Sequence, residues 1–380
     1  MSRLSLDNPF FFPILISITG LIGFIYIQIS IDNMNKFSIL FILLTVSLVI
    51  FYLKLAIMID KKKKWNVKSI STPFALTLIC LDIYLTFPML IHGPTSSFEE
   101  RLEIYGSSFL FGIKWAISSF LFPIIPVFAK SSFIRKFSFY YFILSYTLSA
   151  IIAPSKSVFL GLFVNLLVYR FLKRKSNIDI PAIPVYSVFS VITLFLIVIG
   201  TLLFLYIKVG DGFLYLFLYR ISMNYDTAIF GSLVQDTKPE HGIIFYIFLP
   251  LLKRFYPELY ELEYYNIPQF LLYQVFGIER YGRYAYPNDN FIVGSILSYG
   301  YFLGSVLFFI SLILFYLFIN IFLIKKERIS TFSIYMLLNI PTFFSSAQDF
   351  AVKVFTMLFI FYTINTIVNI FLTLLPKGSN

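Results

Sequence analysis

The sequence predicts an all-α polytopic membrane protein, with about ten transmembrane helices and one large loop outside the bilayer that contains short interfacial helices. Three observations predict it. Hydrophobic residues make up 59% of the 380 residues and mean hydropathy is +0.85, so most of the chain can be solvated only by lipid. Long apolar runs follow one another, at 10–29, 37–59, 70–91, 107–129, 138–153, 157–172, 183–206, 297–323, 331–347 and 352–375. Lysine and arginine gather in alternate short connections between these runs, the asymmetry that orients a polytopic chain.

The elements divide into three regions. Residues 1–206 form an N-terminal bundle of about seven spans, 207–296 a single polar loop, and 297–380 a C-terminal bundle of about three spans. The first apolar run has no small-residue cleavage site after it, which predicts a retained span rather than a removed leader. With the N-terminus in the cytoplasm, the inner connections hold Lys61 to Lys64 and Lys68, then Lys130, Arg135 and Lys136, then Arg170 and Lys173 to Lys175, then Lys325, Lys326 and Arg328. Ten spans return the C-terminus to the cytoplasm and put the long loop outside. Lys54, near the inner end of the second span, reads as a snorkelling side chain. Asp82 in the third span and Lys114 in the fourth fall in the outer half, as a structural ion pair or as functional groups. The fifth and sixth spans meet at Ala153-Pro-Ser-Lys156-Ser157, a tight hairpin that places Lys156 at the outer face.

Composition excludes several classes of function. The single cysteine, Cys80, leaves no disulfide framework. His92 and His241 are far apart and belong to no metal-binding spacing, so neither a metal nor another cofactor is expected. The net charge of +11 sits in inner connections and reads as topology rather than as a nucleic-acid surface. A phosphate-binding GxxxxGK[ST] loop and an inverted repeat are both absent, which argues against ATP-driven transport and against a two-half transporter.

Aromatic and aliphatic residues recur among the charges of the polar loop, so it should fold. Helices are expected over Phe213 to Gln235 and Gly242 to Phe255, lying on or dipping into the outer leaflet. Tyrosines at 256, 260, 264, 265, 273, 281, 284 and 286 suit either an interfacial belt or a sugar-binding cleft.

Two constellations in this loop carry chemistry. Arg220 follows a very apolar run and Gly231 comes eleven residues later. On one helix at about 100° per residue, Arg220, Asn224, Thr227 and Gly231 share a face. Guanidinium suits a phosphate or pyrophosphate, and glycine lets a headgroup or a backbone approach. The alternative is an arginine paired with Asp226 or Asp211. The second constellation is Glu279-Arg-Tyr-Gly-Arg283, Tyr286-Pro-Asn-Asp-Asn290-Phe and Ser298-Tyr-Gly-Tyr-Phe-Leu-Gly304. Here Asp289 either acts as a general base toward a sugar hydroxyl or caps the helix beginning near Phe291.

As a whole the chain resembles the O-antigen polymerase family of oligosaccharide repeat-unit polymerases. Arg220, ten residues, then Gly231 is similar to a motif of their periplasmic loops. Pro287-Asn-Asp-Asn-Phe291 with Tyr299, Gly300 and Gly304 resembles a segment shared with O-antigen ligases, where a His-Asn pair stands in place of Asp289-Asn290. The resemblance implies a GT-C-like, metal-independent glycosyltransferase in the bacterial inner membrane, fed by undecaprenyl-pyrophosphate-linked oligosaccharides and partnered by a chain-length-regulating co-polymerase. It implies that Arg220, Gly231, Lys253, Arg254, Arg280, Arg283 and Lys156 meet the pyrophosphate. Tyr281, Tyr284, Asn288 and Asn290 would meet sugar, and Asp289 or Glu279 would serve as base, with His241 the alternative. Ligase and lipid-linked oligosaccharide flippase are the competing activities.

Overall fold

Among the described residues, helices form where the apolar runs were found, and several of their ends are set by ordinary capping chemistry. The computed structural model describes residues 5, 7–62, 64–92, 108–152, 156–176, 225–234, 237–253, 255–256, 258–259, 266–277 and 290–374. Among these, twelve α-helices occur: α1 (Phe11–Ser30), α2 (Lys36–Lys61), α3 (Thr72–His92), α4 (Ser108–Phe128), α5 (Ser132–Ile152), α6 (Lys156–Lys175), α7 (Asp226–Leu233), α8 (Ile243–Leu252), α9 (Ile267–Phe276), α10 (Phe291–Ile319), α11 (Thr331–Ser345) and α12 (Ala347–Leu374). Among the described residues, five helical segments are long and apolar enough to cross a membrane: α1, α2, α3, α10 with its π-helical extension Asn320–Ile324, and the 347–364 part of α12. Asn35, Asn266 and Ser330 each accept a backbone N–H from the first turn of α2, α9 and α11, satisfying donors that a helix start leaves open. Lys173, Arg174 and Lys175 close α6, where cations offset the negative end of the helix dipole.

The run at 183–206 lies outside the described residues. The run at 331–347 becomes α11, a helix of 15 residues, about 22 Å long at 1.5 Å per residue and shorter than a roughly 30 Å hydrocarbon core. Ser346 separates it from α12.

The connections at the lysine-rich end are stitched together by backbone. Residues 66–67 (β1) pair in parallel with 328–329 (β2), and isolated bridges join Trp65 to Ser176 and Ile70 to Ala129. Lys62 Nζ donates to the carbonyls of Leu323, Ile324 and Lys326 at 2.7, 3.1 and 2.9 Å, capping the end of the π-helix. Burial there lowers its pKa from the ordinary lysine value. Lys175 Nζ reaches the carbonyls of Asp60 and Lys62, while Arg174 bridges Asp7 and Asp60 at 3.3 and 3.5 Å. Lys54 lies over the Tyr316 ring at 4.5 Å from its centroid, so its stem and charge rest on α10.

α10 is not one straight span. Gly300 has φ 78° and ψ 176°, a conformation open mainly to glycine, and it folds the helix into two arms, 291–299 and 301–319. A Cβ at Gly304 would lie 2.6 Å from the Ser295 carbonyl oxygen and 2.9 Å from the Ile296 Cα, contacts possible only if the arms run back alongside each other. The rings agree. Phe291 and Phe315, at distant points of the sequence of α10, both pack on Phe343, at 4.5 and 5.0 Å between centroids. Hydropathy placed the start of this span at 297, in the middle of a short arm in which every residue from Phe291 to Leu297 is buried.

The start of the short arm is capped by Asn290, itself only 4% exposed. Its Oδ1 accepts the N–H groups of Ile292 and Val293 at 3.0 and 3.3 Å. The sequence offers Asp289 as the cap, and the structure gives the role to Asn290. Asn290→Ala should lower stability by about 1 kcal/mol, the usual cost of losing a side-chain cap, read from the thermal midpoint of the detergent-solubilised protein.

Candidate functional site

A cavity of about 670 Å³ lies midway along the bundle, against the start of the short arm. Its walls include Leu48 and Tyr52 in the middle of α2, Ser17 of α1, Asn165 of α6, Tyr225 before α7, Asn290 before α10 and Ile292 in it, Asn339 and Ser345 of α11, Ser346 and Asp349 beside the start of α12, and apolar side chains such as Phe12, Val164, Leu338 and Phe344. Polar groups midway along apolar helices are costly in lipid and mark a functional interior.

Each wall group is fixed by its own element. Asn339 is 5% exposed and donates Nδ2–H to the Tyr335 carbonyl at 2.9 Å. Tyr52 is 2% exposed, stacked on Phe10 at 5.7 Å, and its hydroxyl has no hydrogen-bond partner among the described residues. Tyr225 packs edge-on to Phe41 at 5.3 Å. Asp349 sits in the first turn of α12, its N–H donating to Ser346 Oγ at 3.3 Å, and a carboxylate is favoured at a helix start. It is the one carboxylate that the described residues place on the wall. Amides, hydroxyls and one carboxylate are the groups that hold and deprotonate a polyhydroxylated ligand.

The residues singled out from sequence are distributed unevenly about this cavity. Arg220, Asn224, Arg254, Glu279, Arg280, Tyr281, Arg283, Tyr284, Asn288 and Asp289 lie outside the described residues. Asn290 lines the cavity and caps the arm. Gly231 is in α7, where a Cβ would meet the Phe37 ring at 2.8 Å and Val293 at 3.1 Å, so the space beside it is filled by the chain's own side chains. α7 begins at Asp226, with Tyr225 outside it at φ −126° and ψ 23°. Thr227, expected on that face, is fully buried. Lys253 ends α8 and is half-buried, and Lys156 is the first residue of α6. His241 is partly exposed at the approach to α8, with Nε2 4.0 Å from Glu240, and is not on the cavity wall.

Asp82 and Lys114 come together elsewhere, between α3, α4 and α5. They make no direct ion pair. Asp82 is fully buried and accepts from Ser118 Oγ at 2.7 Å and from the Tyr141 hydroxyl at 2.6 Å. Lys114 Nζ donates to Thr86 Oγ1 at 2.9 Å, and Thr86 donates to the Asp82 carbonyl at 2.7 Å.

Tyr52, Asn165, Asn339, Asp349 and Lys353 were not singled out from sequence. Asp349 and Lys353 carried a signal, since both are ionisable residues at the head of the last apolar run. Among the described residues no three His, Cys, Asp or Glu side chains gather as a metal site. No protein-family model, no curated protein and no solved structure matches this chain.

Proposed function

We propose that this chain is a polymerase of the O-antigen type, a glycosyltransferase that joins undecaprenyl-pyrophosphate-linked oligosaccharide units at the periplasmic face of the bacterial inner membrane. The observation that carries the proposal is the cavity with amides, hydroxyls and a carboxylate set among apolar side chains in its wall, bounded by the short arm that directly follows the polymerase-like Pro287-Asn-Asp-Asn290 segment. An amphiphilic substrate with a polyprenyl tail needs polar groups within reach of lipid, and amides with tyrosines suit sugar hydroxyls.

In the reaction, the acceptor sugar's hydroxyl oxygen bonds to the donor's anomeric carbon while the bond from that carbon to the pyrophosphate oxygen breaks. A carboxylate takes the hydroxyl proton. Asp349, on the cavity wall, joins Asp289 and Glu279 as a candidate for that role. The pyrophosphate leaves with the bonding electron pair, and Arg220, Arg280, Arg283, Lys253, Arg254 and Lys156 are the candidate cations for its growing charge. The lysine-rich end faces the cytoplasm under the positive-inside rule, with both termini on that side.

The test is a lipopolysaccharide gel from a Gram-negative deletion strain and its complemented partner. Core carrying one repeat unit, with the ladder restored on complementation, is the expected result, and an unchanged ladder in the deletion strain would refute the proposal. Asp349→Asn, at normal membrane abundance, is expected to lower polymer by about a hundredfold or more, within the usual effect of a general base. An intact ladder would remove Asp349 from that role. A cavity midway through a bundle also favours a second reading, translocation of the lipid-linked oligosaccharide. That reading predicts bare core, with unpolymerised lipid-linked units held on the cytoplasmic side.

A further inference from the structure

The cavity has a buried end and an exposed end. Tyr52, Tyr225 and Ser17 are 2, 6 and 7% exposed, and all three are on its wall. Ser345 and Asp349, also on the wall, are exposed. The buried end is drawn together from separate parts of the chain. The Tyr225 hydroxyl reaches the Ser17 carbonyl of α1 at 3.5 Å, and Tyr52 of α2 lies within electrostatic range of Tyr225.

Both phenol rings are clamped, so their hydroxyls are presented at fixed positions. Tyr52 is stacked on Phe10 and meets Phe344 edge-on at 6.2 Å. Tyr225 is edge-on to Phe41 and lies against Gly20, where a Cβ would collide with its ring. Hydroxyls on rings already held in place lose little freedom when a ligand binds. Three parts of a lipid-linked oligosaccharide compete for such an end. A prenyl tail would set the two phenol hydroxyls against hydrocarbon, an uncompensated loss of their hydration. A pyrophosphate would share the cavity with the carboxylate of Asp349, a like charge. A sugar ring suits the wall on both counts, because its hydroxyls bond to phenols while its C–H faces match the Phe12, Leu48 and Phe344 side chains of the same wall.

We propose that Tyr52 and Tyr225 form a subsite for one sugar ring at the buried end of the cavity, an assignment that rests on the polymerase reading for the identity of the oligosaccharide. Recognition at the buried end and proton transfer at Asp349 are then separate duties of one cavity. The test uses the full-length protein in phosphatidylcholine nanodiscs and three probes: the repeat-unit oligosaccharide released by mild acid from the source strain's lipid-linked intermediates, undecaprenyl phosphate and inorganic pyrophosphate. The oligosaccharide should bind in isothermal titration calorimetry, and an excess of either other probe should leave its Kd unchanged. Tyr52→Phe and Tyr225→Phe keep the rings and remove only the hydroxyls. Each should weaken the oligosaccharide about tenfold, the scale of one lost hydrogen bond, while the thermal midpoint of the unliganded protein stays at the wild-type value. Should one variant fail to accumulate, the other carries the same expectation. Absence of oligosaccharide binding to the wild type, wild-type affinity in either variant, or displacement of the oligosaccharide by undecaprenyl phosphate or pyrophosphate would each overturn the assignment. The gel reports separately. A ladder lost on deletion, with both variants binding as the wild type does, would refute the subsite alone. An unchanged ladder in the deletion strain, with tenfold losses in both variants, would refute the polymerase and leave the saccharide subsite standing.

Discussion

Gly304→Val is expected to leave little or no folded protein in the membrane. The hairpin of α10 brings the backbone of Ser295 and Ile296 against Gly304, so that even a methyl group would sit 2.6–2.9 Å from backbone atoms. Backbone cannot rotate aside as a long side chain can. The short arm would have to move, and it is walled in on several sides: Val293 abuts Gly231, and Gly294 packs against Ile243 and Ile267. The loss should reach about 4–5 kcal/mol, the upper end of single substitutions, measured as loss of the monodisperse peak in fluorescence-detected gel filtration. Gly300→Ala supplies the control. It faces no atom within 4 Å and should cost about 1–3 kcal/mol for a backbone conformation that is nearly glycine-only, less than the loss at Gly304. Equal behaviour of the two variants would mean that the arms do not pack as described.

Asp82→Leu should be the second severe substitution. It strips the acceptor from Ser118 and Tyr141 and removes the negative charge that, among the described residues, acts on Lys114. Leaving one charge of a buried set uncompensated costs about 3–5 kcal/mol. Adding Lys114→Met to Asp82→Leu should recover part of that loss, because a core emptied of both charges no longer holds an isolated ammonium. Unfolding midpoints of the two single variants and the double variant, in the same detergent, complete the cycle. A double variant no better than Asp82→Leu alone would show that Thr86 by itself satisfies Lys114.

Much of the helical content was legible because lipid solvation demands long apolar runs, and α1 to α3 follow the hydropathy closely. The hairpin was not. Hydropathy makes 297–323 one straight span, whereas the structure forms helix from 291 to 324 and the backbone of Gly300 with the crowding at Gly304 divides it. The cavity was invisible for a related reason, since Tyr52, Asn165 and Asn339 are single polar residues in different helices, and only packing brings them together. Sequence pointed to the segment around Asn290 and assigned it to loop chemistry. Its described end is a buried cap deep in the bundle. Asp349 and Lys353 were passed over because they fall at the boundary drawn for the last span, and hydropathy averages such positions away.

The stitched loops at the lysine-rich end limit how the molecule can move. Four backbone bonds, from Trp65 to Lys175, Lys68 to Ile329, Ile70 to Phe128 and Lys130 to Ile70, join with the Lys62 cap to make a floor beneath the helices. To open a passage through that floor, the protein would have to break these bonds together. Among the described residues, that floor ties four connections together at the lysine-rich end, so an opening there is costlier than the movement of any single helix. That suits an enzyme that receives both substrates from one side, and it works against a carrier that must open alternately to each.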